Sequence, residues 1–346
     1  MAIFSSNRLQ TVYVQNQAAN SLRSILNTAG TWTNTGAKKL RFTTFTMTPT
    51  RAVVDVPYKT GNSSVPVGVT GRASATFSGT MPLILSGAAG TVPDLDPVFA
   101  HIFGQPGTVV ASTSVTYNLA DAIITSCFFW YDKNNLATPS NMYLLGAIIK
   151  SWKLSFNGAF PTLQIDGEAV YAVDQVYFAS FTGPDAIVKG GLTTYPAEPS
   201  VATTGNAQQG FGGTLTVDGN SMTPRGNLEI SGVTGLELAA DGYPDAYPFA
   251  VIRGQRRISF GSMTFLNDDS TGIVNLKQKS ESKASINASL VLGATAGSIC
   301  TVNLNNIQLT KNSFSENGTF LDVNFANSPA HASSTTVTDD ATIALT

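Results

Sequence analysis

Along most of the chain apolar residues alternate with polar ones, the period of a β-strand with one buried face. In "TLQIDGEAVYA", Leu163, Ile165, Ala169 and Tyr171 fall on one side and Gln164, Asp166 and Glu168 on the other. In "IIKSWKLSF" just before it, Ile148, Trp152, Leu154 and Phe156 share a side, and "NGAFP" between the two runs is a turn. The pattern predicts a β-hairpin with one buried face. A second hairpin is predicted from "SICTVNLNNIQLT", "KNSFSENG" and "TFLDVNFAN". There Leu321, Val323 and Phe325 alternate with Asp322 and Asn324, and a phase slip at Asn305 and Asn306 marks a bulge. The tail "TDDATIALT" predicts a last short strand.

Helical spacing is confined to two short places. Leu95, Val98, Phe99 and Ile102 recur at i, i+3, i+4 and i+7 and predict a helix from Pro97 to Phe103, with Asp96 as its cap and Gly104 closing it. "IVNLKQKS" predicts a second helix within Ser270 to Ser282. Each helix follows a strand and a corner, and each precedes a strand and a hairpin. The two halves thus share an order of elements, an internal repeat visible in pattern more than in identity. The corner before the first helix, Gly87 to Thr91, invites comparison with a phosphate-binding turn. It has neither the Gly-Lys-Ser/Thr of a P-loop nor the dinucleotide spacing, which leaves a structural corner.

The stretch 184–213 is rich in Gly, Pro and Thr and lacks periodicity, so it reads as a linker. It separates a first domain, 1–183 with an N-terminal arm, from a second, 214–346 with a C-terminal tail. The polar N-terminal arm to about Lys39 and the loop from Tyr58 to Gly71 are expected to order only against neighbouring subunits. Lys59, Asn62, Ser63, Val65 and Val67 in that loop are the candidate contacts between subunits or rings.

Composition sharpens this. The chain has 346 residues, 42% of them hydrophobic, but only 12% charged, about half the usual share. So little charge implies a surface that faces other protein copies. A net charge of −2 and the lack of a long basic run exclude an electrostatic grip on nucleic acid. Arg253, Arg256 and Arg257, the densest basic group, are expected on a solvated strand face. The N-terminus has no basic segment leading into an apolar one, and the longest apolar run, Met142 to Ile149, is too short to span a bilayer, so a soluble protein made in a cytoplasm is expected, with no membrane partner. Cys127 and Cys300 lie in apolar strand-like runs and are expected to be buried free thiols.

Candidate chemistry is sparse. His101 and His331 have no metal-ligand neighbours at usable spacing. Asp166 and Glu168 lie on one side of a strand as a glycosidase pair does, but two alternating acids on a strand ordinarily form its solvated face. Asp94 with Asp96, and Asp268 with Asp269, lack the spacing of a calcium loop and suit caps and turns. Trp32, Trp130 and Trp152, with Phe128, Phe129 and Tyr131, suit a core better than a sugar-stacking platform. Neither an enzyme nor a cofactor is expected.

The segment "GRASATFSGTMPLIL" followed by "SGAAGTVPDLDPVFAHIFG" resembles the strand, Gly-rich corner and helix of the tail tube proteins of long-tailed bacteriophages. "VTYNLA", "CFFWYDKNN" and "YLLGAIIKSWKLSFNGAFPTLQIDGEAVY" resemble the family's central block, and "YPAEPSVA", "RRISFGSMTF" and "CTVNLNNIQLTKNSFSENGTFLDVNFANSP" extend the likeness to the second half. The resemblance implies an all-β fold with minor α: two tandem β-sandwich or half-barrel domains, each with one short flanking helix. It implies a virion structural protein whose homo-oligomeric rings stack into the hollow tail tube. With two domains per chain, three chains make a pseudo-sixfold ring. It implies assembly in the host bacterial cytoplasm, tape measure and tail terminator or tip proteins as partners, and DNA that passes the lumen without specific binding. Gln164, Asp166 and Glu168 are the candidate lumen-facing residues. The alternatives are another virion component, capsid or baseplate, and a secreted carbohydrate-binding or adhesive β-module.

Overall fold

A computed structural model describes residues 10–17, 34–54, 69–134, 140–156, 160–175, 195–201, 205, 207–208, 213–239, 248, 250–261, 263–333 and 339–346. The described fold is antiparallel and mostly β, with two α-helices among these residues. The first half contributes β1 (Gln10–Gln17), β2 (Lys38–Leu40), β3 (Thr44–Val54), β4 (Val69–Pro82), α1 (Asp96–Phe103), β5 (Thr108–Val110), β6 (Ser114–Asn118), β7 (Thr125–Asp132), β8 (Met142–Phe156), β9 (Thr162–Ala169) and β10 (Tyr171–Asp174). The second half contributes β11 (Thr214–Val217), β12 (Asn220–Met222), β13 (Leu228–Val233), β14 (Leu236–Ala239), β15 (Ala250–Arg253), β16 (Arg257–Phe260), β17 (Met263–Leu266), α2 (Thr271–Ser282), β18 (Ser285–Leu292), β19 (Cys300–Asn317), β20 (Phe320–Asn327) and β21 (Ala341–Leu345). Both predicted hairpins form, as β8–β9 and β19–β20, both helices fall where spacing placed them, and the tail makes β21.

The repeat runs deeper than the order of elements. The path β1–β7–β8–β9–β4 in one sheet matches β11–β18–β19–β20–β17 in the other. Residue n of β8 corresponds to residue n + 160 of β19, including their irregularities. Gly146 (φ 57°) and Asn306 (φ 52°) are left-handed residues at the first bulge of each strand, and second register shifts follow at Ile149/Ser151 and Leu309/Lys311. The sequence keeps the spacing at the hairpin turns: "SFNGAF" begins at Ser155 and "SENGTF" at Ser315. The bulge read at Asn305 and Asn306 is present, opposite Asn287, whose side chain accepts the Asn306 N–H at 3.0 Å.

Two strands cross between the halves. β13 pairs with the C-terminal part of β8, Leu228 opposite Phe156 through Val233 opposite Ser151. In return β21 pairs with β6, Leu345 opposite Val115 through Thr342 opposite Asn118. One contiguous buried cluster therefore draws on both halves, from Phe77, Phe99 and Trp152 to Ile230, Phe265 and Val323. A smaller cluster on the other face of the first sheet joins Tyr13, Phe129, Tyr143 and Ile148 to Leu236 and Val251. Cys127 and Cys300 are buried and free, one in each cluster. The phenyl and indole rings of Phe128, Phe129 and Trp152 lie in these cores.

Several expectations need correction. Ile148 does not share a side with Trp152, Leu154 and Phe156: the bulge at Ile149/Ser151 shifts the phase, so Ile148 packs in the smaller cluster and Ile149 joins the larger. Tyr171 likewise leaves the side of Leu163 and Ile165, because β10 is a separate strand that packs against the smaller cluster. Part of the N-terminal arm is a core strand, since β1 pairs with β7 over eight residues and buries Val12, Tyr13 and Val14. Asp96 does not cap α1; its carboxylate accepts from Tyr117 Oη at 2.9 Å and Gly107 N at 3.3 Å, which ties the helix to β6. Leu321 is exposed at the tip of its hairpin, whereas Asp322 is buried beside Arg225 at 3.2 Å.

The glycine-bearing corner before α1 meets protein backbone. Gly87 N–H donates to Gly297 O at 3.0 Å, and a Cβ on Gly297 would lie 2.4 Å from the backbone of Gly87 and Ala88. The small residues are there so that the turns of the two halves can touch. Gly219→Ala, at φ 79° with open space around it, is expected to cost about 1–2 kcal/mol from left-handed strain alone. Gly297→Ala, at φ 82°, is expected to cost more, because the contact must also open. Urea midpoints of the two variants check this, and equal losses would contradict the close approach.

Candidate functional site

The outer face of the first sheet is polar across six strands. Thr46 and Thr48 of β3, Thr76 and Ser78 of β4, Asp166 and Glu168 of β9 and Lys150 of β8 line a shallow groove of about 380 Å³. A second groove of about 470 Å³ continues over Lys153, Gln164, Ser231, Arg257 and Ser259. Gln164, Asp166 and Glu168 point away from the core, as their alternation with Leu163 and Ile165 requires. The Asp166 carboxylate accepts from Ser78 Oγ at 2.7 Å and from Gln164 Nε2 at 3.1 Å, while Lys150 pairs with Glu168 at 2.8 Å and Lys153 with Glu229 at 3.4 Å. Three basic side chains (Lys150, Lys153, Arg257) thus face three acidic ones (Asp166, Glu168, Glu229), and the surface is locally neutral. Each carboxylate already has a partner, and the ion pairs are half exposed, worth at most about 1 kcal/mol each.

The second feature is a pair of long open strand edges; the other strands of these two sheets with a single partner among the described residues, β2, β5, β10, β12, β16 and β17, are only three or four residues each. β3 ends the first sheet and pairs only with β4 among the described strands. In the second sheet, Leu309–Asn317 of β19 pairs only with β20 among the described strands. The ribbon this makes carries Phe314, Phe320 and Leu321, exposed at 54%, 52% and 42%. Lys277 lies 5.6 Å from the Phe314 ring and Arg225 lies 5.0 Å from the Phe320 ring. These cations cover one side of each ring. Sequence alternation did not single out the ribbon, because "KNSFSENG" reads as a connecting loop. Its kinship to the buried end of β8 emerges from the register, with the matching turns at Ser155 and Ser315 as its trace in the sequence.

The other candidates have structural duties. His101 is fully buried: its Nε2 accepts the Ile149 N–H at 2.8 Å, at the bulge of β8, and Nδ1 faces Ser126 Oγ at 3.0 Å. Burial, helped by the charge of Arg253, pushes its pKa down to about 3. The ring is therefore neutral and fixed between α1 and the sheet. Arg253 and Arg256 are not on a solvated face: both donate to Ala120 O, at 3.2 and 3.1 Å, and Arg253 also to Ala122 O at 2.9 Å, pinning the segment after β6. Asp268 accepts Ser270 N at 3.0 Å in the turn before α2. Glu198, in the stretch 184–213 that reads as a linker, accepts Tyr13 Oη at 2.7 Å, Thr11 Oγ1 at 2.9 Å and Lys133 at 2.9 Å. Burial raises that carboxyl, but these bonds outweigh it and hold the pKa below its ordinary value. Lys59, Asn62, Ser63, Val65, Val67 and Trp32 lie outside the described residues.

Among the described residues no cluster of three His, Cys, Asp or Glu side chains is placed to hold a metal ion, and no helix is long and apolar enough to cross a membrane. No protein-family model matches the sequence, and no curated protein matches it.

His101 generates a pH prediction. The unfolded imidazole takes up a proton below about pH 6.5, whereas the folded one resists until about 3. The unfolded state therefore binds more protons in this window, and stability falls by about 1.4 kcal/mol for each unit of descending pH. The stability advantage of the native protein over His101→Gln is expected to shrink between pH 7 and pH 4, read by urea denaturation. An advantage constant with pH would contradict the buried neutral ring.

Proposed function

We propose that this chain is a virion structural protein that builds the tail tube of a long-tailed bacteriophage, each chain contributing two tube-type repeats. Three chains form a pseudo-sixfold ring, and rings stack into the hollow conduit for DNA. Assembly takes place in the host bacterial cytoplasm, with tape measure and tail terminator or tip proteins as partners. The reading is supported above all by the doubled β architecture with its two long open strand edges, which have backbone groups left for another chain. Low charge and small polar residues on the surface agree with it, as does the resemblance of the strand, corner and helix segments to that family. In this reading the chain catalyses no reaction.

The polar face bearing Gln164, Asp166 and Glu168 is the proposed lumen wall. A neutral wall suits DNA passage, because clustered Lys and Arg would hold the polyanion by counterion release. Negative-stain microscopy of the concentrated pure protein is expected to reveal stacked rings or tubes, and assembled material is expected to retain no duplex DNA at physiological salt. Closed shells would favour a capsid component, and a monomer that binds glycans would favour an adhesive module. A lumen lined mainly by Lys and Arg would refute the wall, and Asp166 and Glu168 on the tube exterior would refute their assignment alone.

A further inference from the structure

The chain contains one completed seam between repeats and the two sides of a second, unfilled one. In the completed seam β13, the arm of the second repeat, lies along the C-terminal part of β8 in the first. It buries Leu154 to 1% and Phe156 to 6% exposure, and its own Ile230 to 0%. The counterpart of that part of β8 is the open part of β19, where the residue equivalent to Leu154 is Phe314, left 54% exposed. The counterpart of β13 is β3, the first repeat's arm. Its Phe45 and Met47 pack against the larger core as Leu228 and Ile230 do, and its outer edge has no strand partner among the described residues.

We infer that β3 of one chain pairs with Leu309–Asn317 of a second copy of this chain, antiparallel and in the register of the internal seam. This rests on the self-assembly reading above and names its contact. Transferring the register places Met47 opposite Phe314, Thr46 opposite Ser315 and Phe45 opposite Glu316, because Ile230, Glu229 and Leu228 stand opposite Leu154, Ser155 and Phe156. The fit extends to side-chain size. Gly232 lies against the Trp152 ring in the internal seam, where a Cβ would come within 2.6 Å of the indole. In the second seam the same two positions hold Pro49 and Asn312, a larger residue on the arm against a smaller one on the body. Pro49 has no N–H to give and ends the ladder there, so the contact is short and centred on Met47 and Phe314. Such an interface is head-to-tail, since each chain offers an arm at one end and a body edge at the other, and it propagates until rotation closes a ring.

Cross-linking tests the register. In the internal seam Ser155 and Glu229 stand directly opposite each other, so side chains at the equivalent positions 315 and 46 are cross-strand neighbours close enough for a cross-link across the second seam. Thr46 and Ser315 are both exposed, and the native thiols Cys127 and Cys300 are buried. The full-length Thr46→Cys/Ser315→Cys variant, concentrated and mildly oxidised, is expected to give covalent multimers beyond the dimer on non-reducing gels, at least tenfold above either single variant. Phe314→Asp, at an exposed site, is expected to stay folded by circular dichroism and to need at least tenfold more protein to assemble. If light scattering finds assembly without the cross-link, or Phe314→Asp assembles like the native chain, the contact is overturned and self-assembly stands. A protein monomeric at every concentration overturns both. Cross-linked rings that never stack into tubes support the contact and remove the tube reading.

Discussion

A strand inside a sheet must satisfy its backbone on both sides, and β8 must do so over fifteen residues. It meets four neighbours: β7 and β10 along its first part, β9 and β13 along its second. The bulges between the two parts turn its apolar side chains from one core to the other, and His101 takes up the Ile149 N–H that the irregularity frees. The fourth neighbour comes from the other half of the chain. Without β13, the row from Leu154 to Phe156 would stand as open as Phe314 does in β19. The linkage of the two repeats is thus a consequence of completing one strand's hydrogen bonds and covering its apolar side.

Much of this was legible in local pattern. Alternation located both hairpins, helical spacing located both helices, and the slip at Asn305 and Asn306 located a bulge, because each signal arises from residues near in sequence. The phase of Ile148 turns on the bulge at Lys150, and its mark in the sequence is slight: two apolar residues, Ile148 and Ile149, followed by two polar ones, Lys150 and Ser151, interrupt the alternation for a single step. β1 was misread because its polar flanks suggest an arm, whereas its burial comes from β7, more than a hundred residues away. Arg253 and Arg256 were misread for the same reason: their partners are main-chain carbonyls with no sequence signature. The pairings of β13 with β8 and of β21 with β6 carry no local mark at all. Of the candidate site, the outward direction of Gln164, Asp166 and Glu168 was readable from alternation, and the open ribbon was not.

The surface chemistry follows from the same constraint. In the proposed assembly each charge on a paired edge would have to be desolvated. β3 displays threonines, and the β19–β20 ribbon displays Phe314 and Phe320 under the cover of Lys277 and Arg225. These long cationic side chains cover one side of each ring, Lys277 held there by Asn267 and Arg225 by Asp322. The neutral balance of the outer sheet face leaves it without a strong field toward either protein or nucleic acid.

Amide hydrogen exchange, followed by mass spectrometry on dilute and on assembled protein, addresses the central claim most directly: one seam closed within the chain and an equivalent one closed between chains. The account predicts that amides of β13 and of residues 151–156 are protected at every concentration. Those of residues 44–48 and 309–317 should become protected together, only on assembly. Protection of the internal seam that itself depends on assembly, or assembly that leaves both open edges exchanging as fast as in the dilute chain, would contradict it.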